Sequence, residues 1–460
     1  MAQAPVSTSI AQEFEDRFAG SRAMHQRSSQ VIPGGITHDG RFMKPFPPYI
    51  VRAEGPYKWD VDGQRLIDYV MGHGSLLFGH NDPDIVAAQQ EQLLHGTHYG
   101  AGHELEVRWA EQISRMVPSA EQVKFTGSGT ESTLLAIRIA RSFTQRPTVV
   151  KLEGHFHGWN DYLLKGEKTP FENTSSPGIP SQVMSTIAVV PSDDLGMLEE
   201  RLAQGDVAAF ILEPSGGSWA TIPFVDTYLK SVRALCDKYN VVLIFDEVIT
   251  GFRWAPGGAQ QRFGATPDLT TMAKIVAGGM PGGAVAGRRD IMQMLAFKDE
   301  PGWNATRKVR HQGTYNASPV VSAGARVCLE KADNPVVQET CDALAAQLRS
   351  GMNRALVERG IPGYAWGESS VFHVKLGDSV ANQTGGDMRS PEGVSAEDLK
   401  NSSHNPLNDL LHLGLMLEGV ELFHAGGMLS TTHTPEIVDE TVNTFGRVLD
   451  RMAEEGAFGA

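Results

Sequence analysis

Between about residues 80 and 330, short apolar runs recur at helix-length intervals: VKF (123–125), TVVKL (148–152), IAVV (187–190), AAFIL (208–212) and VVLIF (241–245). Runs this short, rich in branched residues and separated by helical lengths, predict an α/β fold with a mainly parallel sheet between two layers of helices. In such sheets ligands sit at the carboxyl ends of the strands, so the residues just after each run carry the functional information.

The flanking regions follow other patterns. Residues 10–27 have helical spacing, and VIPGGITHDGRF (31–42) breaks it with Pro33, Gly34 and Gly35. YIVRAEGPYKWDVDGQRLIDYV (49–70) alternates around Asp62-Gly63, as a small antiparallel sheet would. Beyond residue 331 helices alternate with a few strands, among them VFHVKLG (371–377), while 378–405, rich in Ser, Asn, Gly and Asp, reads as a long loop. The expected organisation is an N-terminal segment 1–75 that belongs with the small part, a large domain 76–330 and a smaller α+β domain 331–460. A chain of 460 residues is long enough for this division.

Composition excludes several classes of partner. The formal charge of −14 argues against general attraction to nucleic acid or anionic membrane, so an anionic ligand must be caught locally. Three cysteines, Cys236, Cys328 and Cys341, are odd in number and predict free thiols in a reducing compartment. MAQAPVSTSIAQEFEDRFAG has no basic stretch leading into an apolar one, and nowhere do about eighteen apolar residues run together. A cytoplasmic enzyme is the expectation.

The chemistry gathers after the strands. VKF leads into TGSGTESTLLAIRIAR (126–141), where a glycine turn opens a helix and aims its first N–H groups at a point suited to a phosphate. An ordinary strand-to-helix turn capped by Thr130 fits the same stretch. TVVKL leads into EGHFHGWNDY (153–162), where Phe156 could lie flat on a planar ring. His155 and His157 stand two apart with no third ligand after them, and His95, His98 and His103 lie in a glycine-rich turn, so no metal is expected. AAFIL ends at Glu213-Pro214 and VVLIF at Asp246-Glu247-Val248. Acids closing apolar strands need a cation or a capping duty, and a protonated pyridine nitrogen would serve Asp246. Lys274, in the apolar, glycine-rich MAKIVAGGMPGGAVAG (272–287), is placed to be desolvated and therefore nucleophilic.

Together FTGSGTES, GHFHGW, ILEPSGG, LIFDEVITGFR, PDLTTMAKIVAGGMPGG and HQGTYNASP resemble the class III aminotransferases over nearly the whole chain. IPGGITHDGRF and SSPGIP (175–180) are similar to the subgroup that contains the glutamate-1-semialdehyde aminomutases, and GHGSLLFGHNDP and HELEVRWAE look most like the D-phenylglycine aminotransferases. The resemblance implies the fold-type I architecture, pyridoxal 5′-phosphate as cofactor, amino acid and 2-oxo acid substrates, and a homodimer with shared active sites. It implies Lys274 as the residue that binds the cofactor aldehyde and shuttles the proton, with Asp246 on the pyridine nitrogen. Ser128, Gly129 and Thr130 would hold the phosphate with Thr314 of the other subunit, Phe156 and Val248 would face the ring, and Glu213 would lie beside it.

Arg41 matches the subgroup's arginine for a substrate carboxylate, a group its guanidinium fork suits. Phe42, His73 and Trp219 are candidates for an aromatic-friendly slot. The aminomutases carry a glutamate in the loop that reads FHAGGMLSTTH (423–433) here, where no acid occurs and His424 is a candidate pocket residue. The resemblance leaves a transaminase, an aminomutase or a racemase, and a non-catalytic binding protein would not need both Lys274 and Asp246.

Overall fold

The computed structural model describes residues 9–172, 176–192, 194–225 and 227–458, so Ser175 of SSPGIP lies outside the described residues. At its centre is a seven-stranded sheet in the order Gln122–Thr126, Gly283–Gly287, Leu269–Ala273, Val242–Asp246, Val207–Leu212, Thr148–Leu152, Ile187–Val190. The five strands expected from the apolar runs are all present. Val207–Leu212 and Val242–Asp246 are buried along their whole length, as strands covered on both faces must be. Every neighbouring pair is parallel except those made by Gly283–Gly287, which runs antiparallel to both of its neighbours.

That exception has a simple cause. The link from Leu269–Ala273 to Gly283–Gly287 spans only residues 274–282, shorter than the dozen or so that a parallel crossover needs. The apolar, glycine-rich stretch 272–287, continuous in the sequence, is divided by the structure into two strands with Lys274 on the turn between them.

Two other expectations change. The helix over 10–27 is two helices, Ser9–Arg17 and Ala19–Ser29, parted at Phe18. The Asp62 carboxylate takes the N–H groups of Gly20 (2.6 Å) and Ser21 (3.0 Å), so a residue distant in the chain starts the second helix. The loop over 378–405 contains a helix, Ala396–Lys400, whose cap is Ser395 accepting from the Asp398 N–H.

The antiparallel sheet expected over 49–70 forms from Ile50–Glu54, Tyr57–Asp60 and Arg65–Asp68, and Val420–Glu421 joins it in parallel. The two ends of the chain also share one core, in which Ile10, Phe14, Phe18 and Leu66 pack with Leu348, Phe372, Leu415 and Phe445. All three cysteines are buried and free. Among the described residues no helix is long and apolar enough to cross a membrane.

Candidate active site

The candidate residues converge at the carboxyl ends of the parallel strands. Asp246, the last residue of its strand, is buried. Its Oδ2 lies 2.7 Å from His157 Nδ1, while Oδ1 accepts from the Val248 N–H (3.1 Å) and the Thr271 hydroxyl (3.3 Å). Among the described residues no lysine or arginine is within ion-pair distance of it, and the buried His157 Nε2 has no hydrogen-bond partner.

Lys274 follows the strand Leu269–Ala273 and adopts φ +59°, the left-handed region that costs a non-glycine residue about 1–3 kcal/mol. His73 (+57°), Trp219 (+53°) and His424 (+55°) share this conformation. Burial pushes the Lys274 amine down to about 8; Asp246 and Glu213 oppose the shift and Arg253 adds to it. The neutral amine is therefore within reach at physiological pH.

This sets the sign of a stability effect. Between about pH 8 and the ordinary lysine value the unfolded chain binds the proton that the folded chain has lost, so cofactor-free protein should gain stability as pH rises through that window. Lys274→Met should remove the gain. We expect the variant's advantage over the parent, about 1–3 kcal/mol near pH 7, to shrink towards pH 10 in urea unfolding of the two cofactor-free proteins. A difference independent of pH would show that the amine is not desolvated.

Glu213 closes the strand Val207–Leu212 and is saturated by backbone. It accepts from the N–H groups of Phe156 (2.9 Å), Ser218 (2.9 Å) and Trp219 (2.8 Å), so one carboxylate staples two loops together. Burial raises its pKa and Asp246 adds to the rise, while His157 and the N–H groups of Trp219 and Phe156 oppose it. Phe156, thus fixed by its backbone, keeps 47% of its surface exposed, enough for a ring to stack on. His155 Nδ1 accepts from the Glu213 N–H at 3.0 Å. Among the described residues no group of three or more His, Cys, Asp or Glu is arranged to hold a metal ion. His98 bonds to the Thr314 carbonyl, and His103 caps the helix Glu104–Met116 while reaching the Ala317 carbonyl at 2.8 Å.

In the glycine loop the helix cap is Ser128, not Thr130: Ser128 Oγ accepts from the Glu131 N–H and the helix begins at Gly129. The N–H groups of Gly129 and Thr130 belong to the first turn, which has no intrahelical acceptors for them. A Cβ on Gly129 would come within 3.1 Å of Val248 and 3.4 Å of Ala273, so glycine is what lets this loop approach the Asp246 and Lys274 strands. Thr314 is exposed, and its carbonyl bonds to His98.

On the other side of Lys274 lies a cluster of rings. His38 and His73 are 4.7 Å apart, His73 meets Phe423 edge-on at 5.0 Å, and Trp219 lies 5.6 Å from Phe423 and 4.4 Å from His373. Burial pushes His73 down to about 4, with His38, Arg41 and Lys274 adding to the shift, so this imidazole is neutral at physiological pH. The exposed Arg41 donates to Thr37 Oγ1 at 2.8 Å. Phe42 is 58% exposed and joins no ring pair of this cluster.

Four participants escape sequence reasoning. His157 stands out in the chain only as a metal candidate, and its contact with Asp246, which closes a strand two places away in the sheet, is made by the fold. Phe423 stands beside His424. Arg253, fully buried, donates to the carbonyls of Gly74 and Leu429 and to Ser370 Oγ, tying the His73 turn to the C-terminal part. Lys151, also fully buried, donates to the carbonyls of His155 (2.9 Å) and Leu163 (2.8 Å) beneath the Phe156 loop. No local pattern marks either cation.

A glycine-opened helix start, a buried strand-end carboxylate and a desolvated lysine gathered at the strand ends fit pyridoxal phosphate, and the chain is a class III aminotransferase: the family model aminotransferase class-III matches residues 41–362. It is therefore an enzyme of the pyridoxal-phosphate-dependent transaminase class with the fold-type I architecture. Over 92% of this chain and 95% of the relative it is 35% identical to the glutamate-1-semialdehyde 2,1-aminomutase of Methanothrix thermoacetophila. Among solved structures it is similar to an omega-transaminase from Sphaerobacter thermophilus (32% identity, TM-score 0.83, 94% and 98% of the two chains). It is also similar to a beta-phenylalanine aminotransferase from Variovorax paradoxus (27% identity, TM-score 0.81, 97% of each chain).

Proposed function

We propose that this enzyme transfers the amino group of an aromatic amino acid to a 2-oxo acid such as 2-oxoglutarate or pyruvate. The observation that carries the reading is the ring cluster of Trp219, Phe423 and His73 on the Lys274 side of the crevice, with the Arg41 guanidinium beside it. Rings packed at these separations offer an aryl group offset and edge-on contacts, and a guanidinium offers its carboxylate a bidentate pair.

Bound pyridoxal phosphate supplies an aldehyde that takes up the amino group and a ring that accepts the electron pair released at Cα. The chain's own residues do the rest. Lys274 Nζ, its pKa lowered by burial to about 8 so that the neutral amine is accessible, would take the Cα proton and return it to the carbon that bore the aldehyde oxygen. Asp246 holds a proton on the ring nitrogen, and His157 and Thr271 keep that carboxylate aimed. Ser128, Gly129 and Thr130 bind the phosphate at the helix start. Phe156 and Val248 press on the ring, and Glu213 fixes the loop that presents Phe156. Thr314, exposed in the single chain, completes the phosphate site of the partner subunit in a cytoplasmic homodimer.

The decisive test is a half-reaction screen, following the loss of bound-cofactor absorbance with D- and L-α-amino acids, β-amino acids and carboxylate-free amines. Aromatic amino acids should react fastest, with the D series favoured by the motifs similar to D-phenylglycine aminotransferases. Arg41→Met should raise KM for carboxylate donors by about ten- to a hundredfold, the weight of a charge-assisted bidentate contact, and leave simple amines unchanged. Equal losses for both donor classes would remove Arg41 from the carboxylate site.

The similarity to an aminomutase favours a second reading, isomerisation of one substrate. Against it, the loop 423–433 holds no acid. A coupled assay for net transfer to 2-oxoglutarate separates the two, since an isomerase releases no second product.

A further inference from the structure

The segment expected to be a featureless loop delivers a buried cation to the back of the site. Lys400 ends the helix Ala396–Lys400, and the neighbouring Leu399 is buried in a cluster with Ile222 and Trp366. From that anchor Lys400 Nζ donates to the Gly154 carbonyl (2.9 Å) and to Ser218 Oγ (2.5 Å), and pairs with Glu167 at 3.4 Å. Ser218 Oγ donates in turn to the same Gly154 carbonyl (3.0 Å), which closes a triangle across two loops. Those are the loops that Glu213 joins from the inner side, through the N–H groups of Phe156, Ser218 and Trp219. The Lys400 side chain keeps 13% of its surface exposed and that of Glu167 11%, so their charges are poorly screened and the contacts are of the strong, charge-assisted kind.

We propose that Lys400 is a positioning residue that locks the Phe156 and Trp219 loops against each other, setting the ring that meets the cofactor and the ring that meets the substrate at once. Trp219 is the more dependent of the two. Residues 218–220 all hold positive φ, a run that persists only where surrounding contacts over-determine it. Glu213 supplies the inner contacts and Lys400 the outer one. The proposal rests on reading Phe156 as the ring against the cofactor and Trp219 as a wall of the substrate slot.

The test uses full-length Lys400→Met and Lys400→Arg beside Phe156→Ala and Trp219→Ala. For each, cofactor affinity is measured by equilibrium dialysis, KM and kcat with an aromatic donor, and Tm on the loaded enzyme. Lys400→Met should weaken cofactor binding and raise KM by about tenfold each, the value of one charged hydrogen bond, and also lower Tm because Glu167 is left unpaired. Lys400→Arg should restore most of both. If Phe156→Ala and Trp219→Ala change cofactor affinity and KM while Lys400→Met changes neither, the positioning role is wrong and the site reading stands. If the two ring variants are also silent, the site reading itself fails. A fall in Tm in both lysine variants, with affinity and KM following it and no rescue by arginine, would reduce Lys400 to a structural tie.

Discussion

Lys274→Ala should lower turnover by about four orders of magnitude or more while the fold persists. Two losses combine. The side chain that would move the proton disappears, and general base catalysis by a positioned group is worth about two to four orders by itself. The covalent hold on the cofactor goes with it, and with it the nucleophilic route by which an incoming amine exchanges for the lysine. The residue is also expensive to keep: an amine lowered to about 8 by burial on a strained backbone gives no stability in return, so its removal should not unfold the chain. Stopped-flow half-reactions with the best donor of the screen give the rate, and circular dichroism reports the fold. Borohydride reduction of the loaded parent should place the label on the peptide that holds Lys274. A labelled peptide elsewhere, or a variant turning over at a near-normal rate, would end the assignment.

Asp246→Asn should cost about two to three orders in kcat, the size seen when one preorganised electrostatic contact is removed from a water-poor site. The substitution keeps the shape and deletes the charge, so the effect isolates electrostatics. His157 at 2.7 Å and the Val248 N–H at 3.1 Å would still hold the side chain in place, but an amide has no negative charge with which to keep a ring nitrogen protonated. Cofactor affinity should fall less than kcat, because the proposed phosphate site at Ser128, Gly129 and Thr130 lies on a different element. Single-turnover rates at saturating donor, with the cofactor Kd taken separately, distinguish the two quantities. A kcat within a few-fold of the parent would mean that Asp246 is a structural cap and that the ring charge comes from elsewhere.

The parts of this protein that are legible in the sequence share a common character: each is dictated by residues close together in the chain. Strands buried on both faces must be apolar, so AAFIL and VVLIF are conspicuous along their whole length. Polar residues at the ends of such strands stand out for the same reason, which is why Asp246 and Glu213 can be picked out from the pattern of the chain, whereas Lys274 stands out as a lysine in an apolar, glycine-rich stretch. Where the pattern fails, a distant partner intervenes. Asp62 divides the first helix by capping its second half, and a turn too short for a crossover reverses Gly283–Gly287.

By itself, then, the sequence determined the α/β core and the acids at its strand ends, because hydrophobic period and strand-end polarity are local properties, while the pyridoxal roles proposed for the site residues follow from the family resemblance. Only the tertiary structure decided what supports them: His157 against Asp246, Lys151 beneath the Phe156 loop, Arg253 behind His73, Lys400 across Gly154 and Ser218, and the rings that gather around Phe423. A buried cation bonded to backbone carbonyls leaves no mark in its own neighbourhood of the chain, since its acceptors come from segments that meet only when the layers pack.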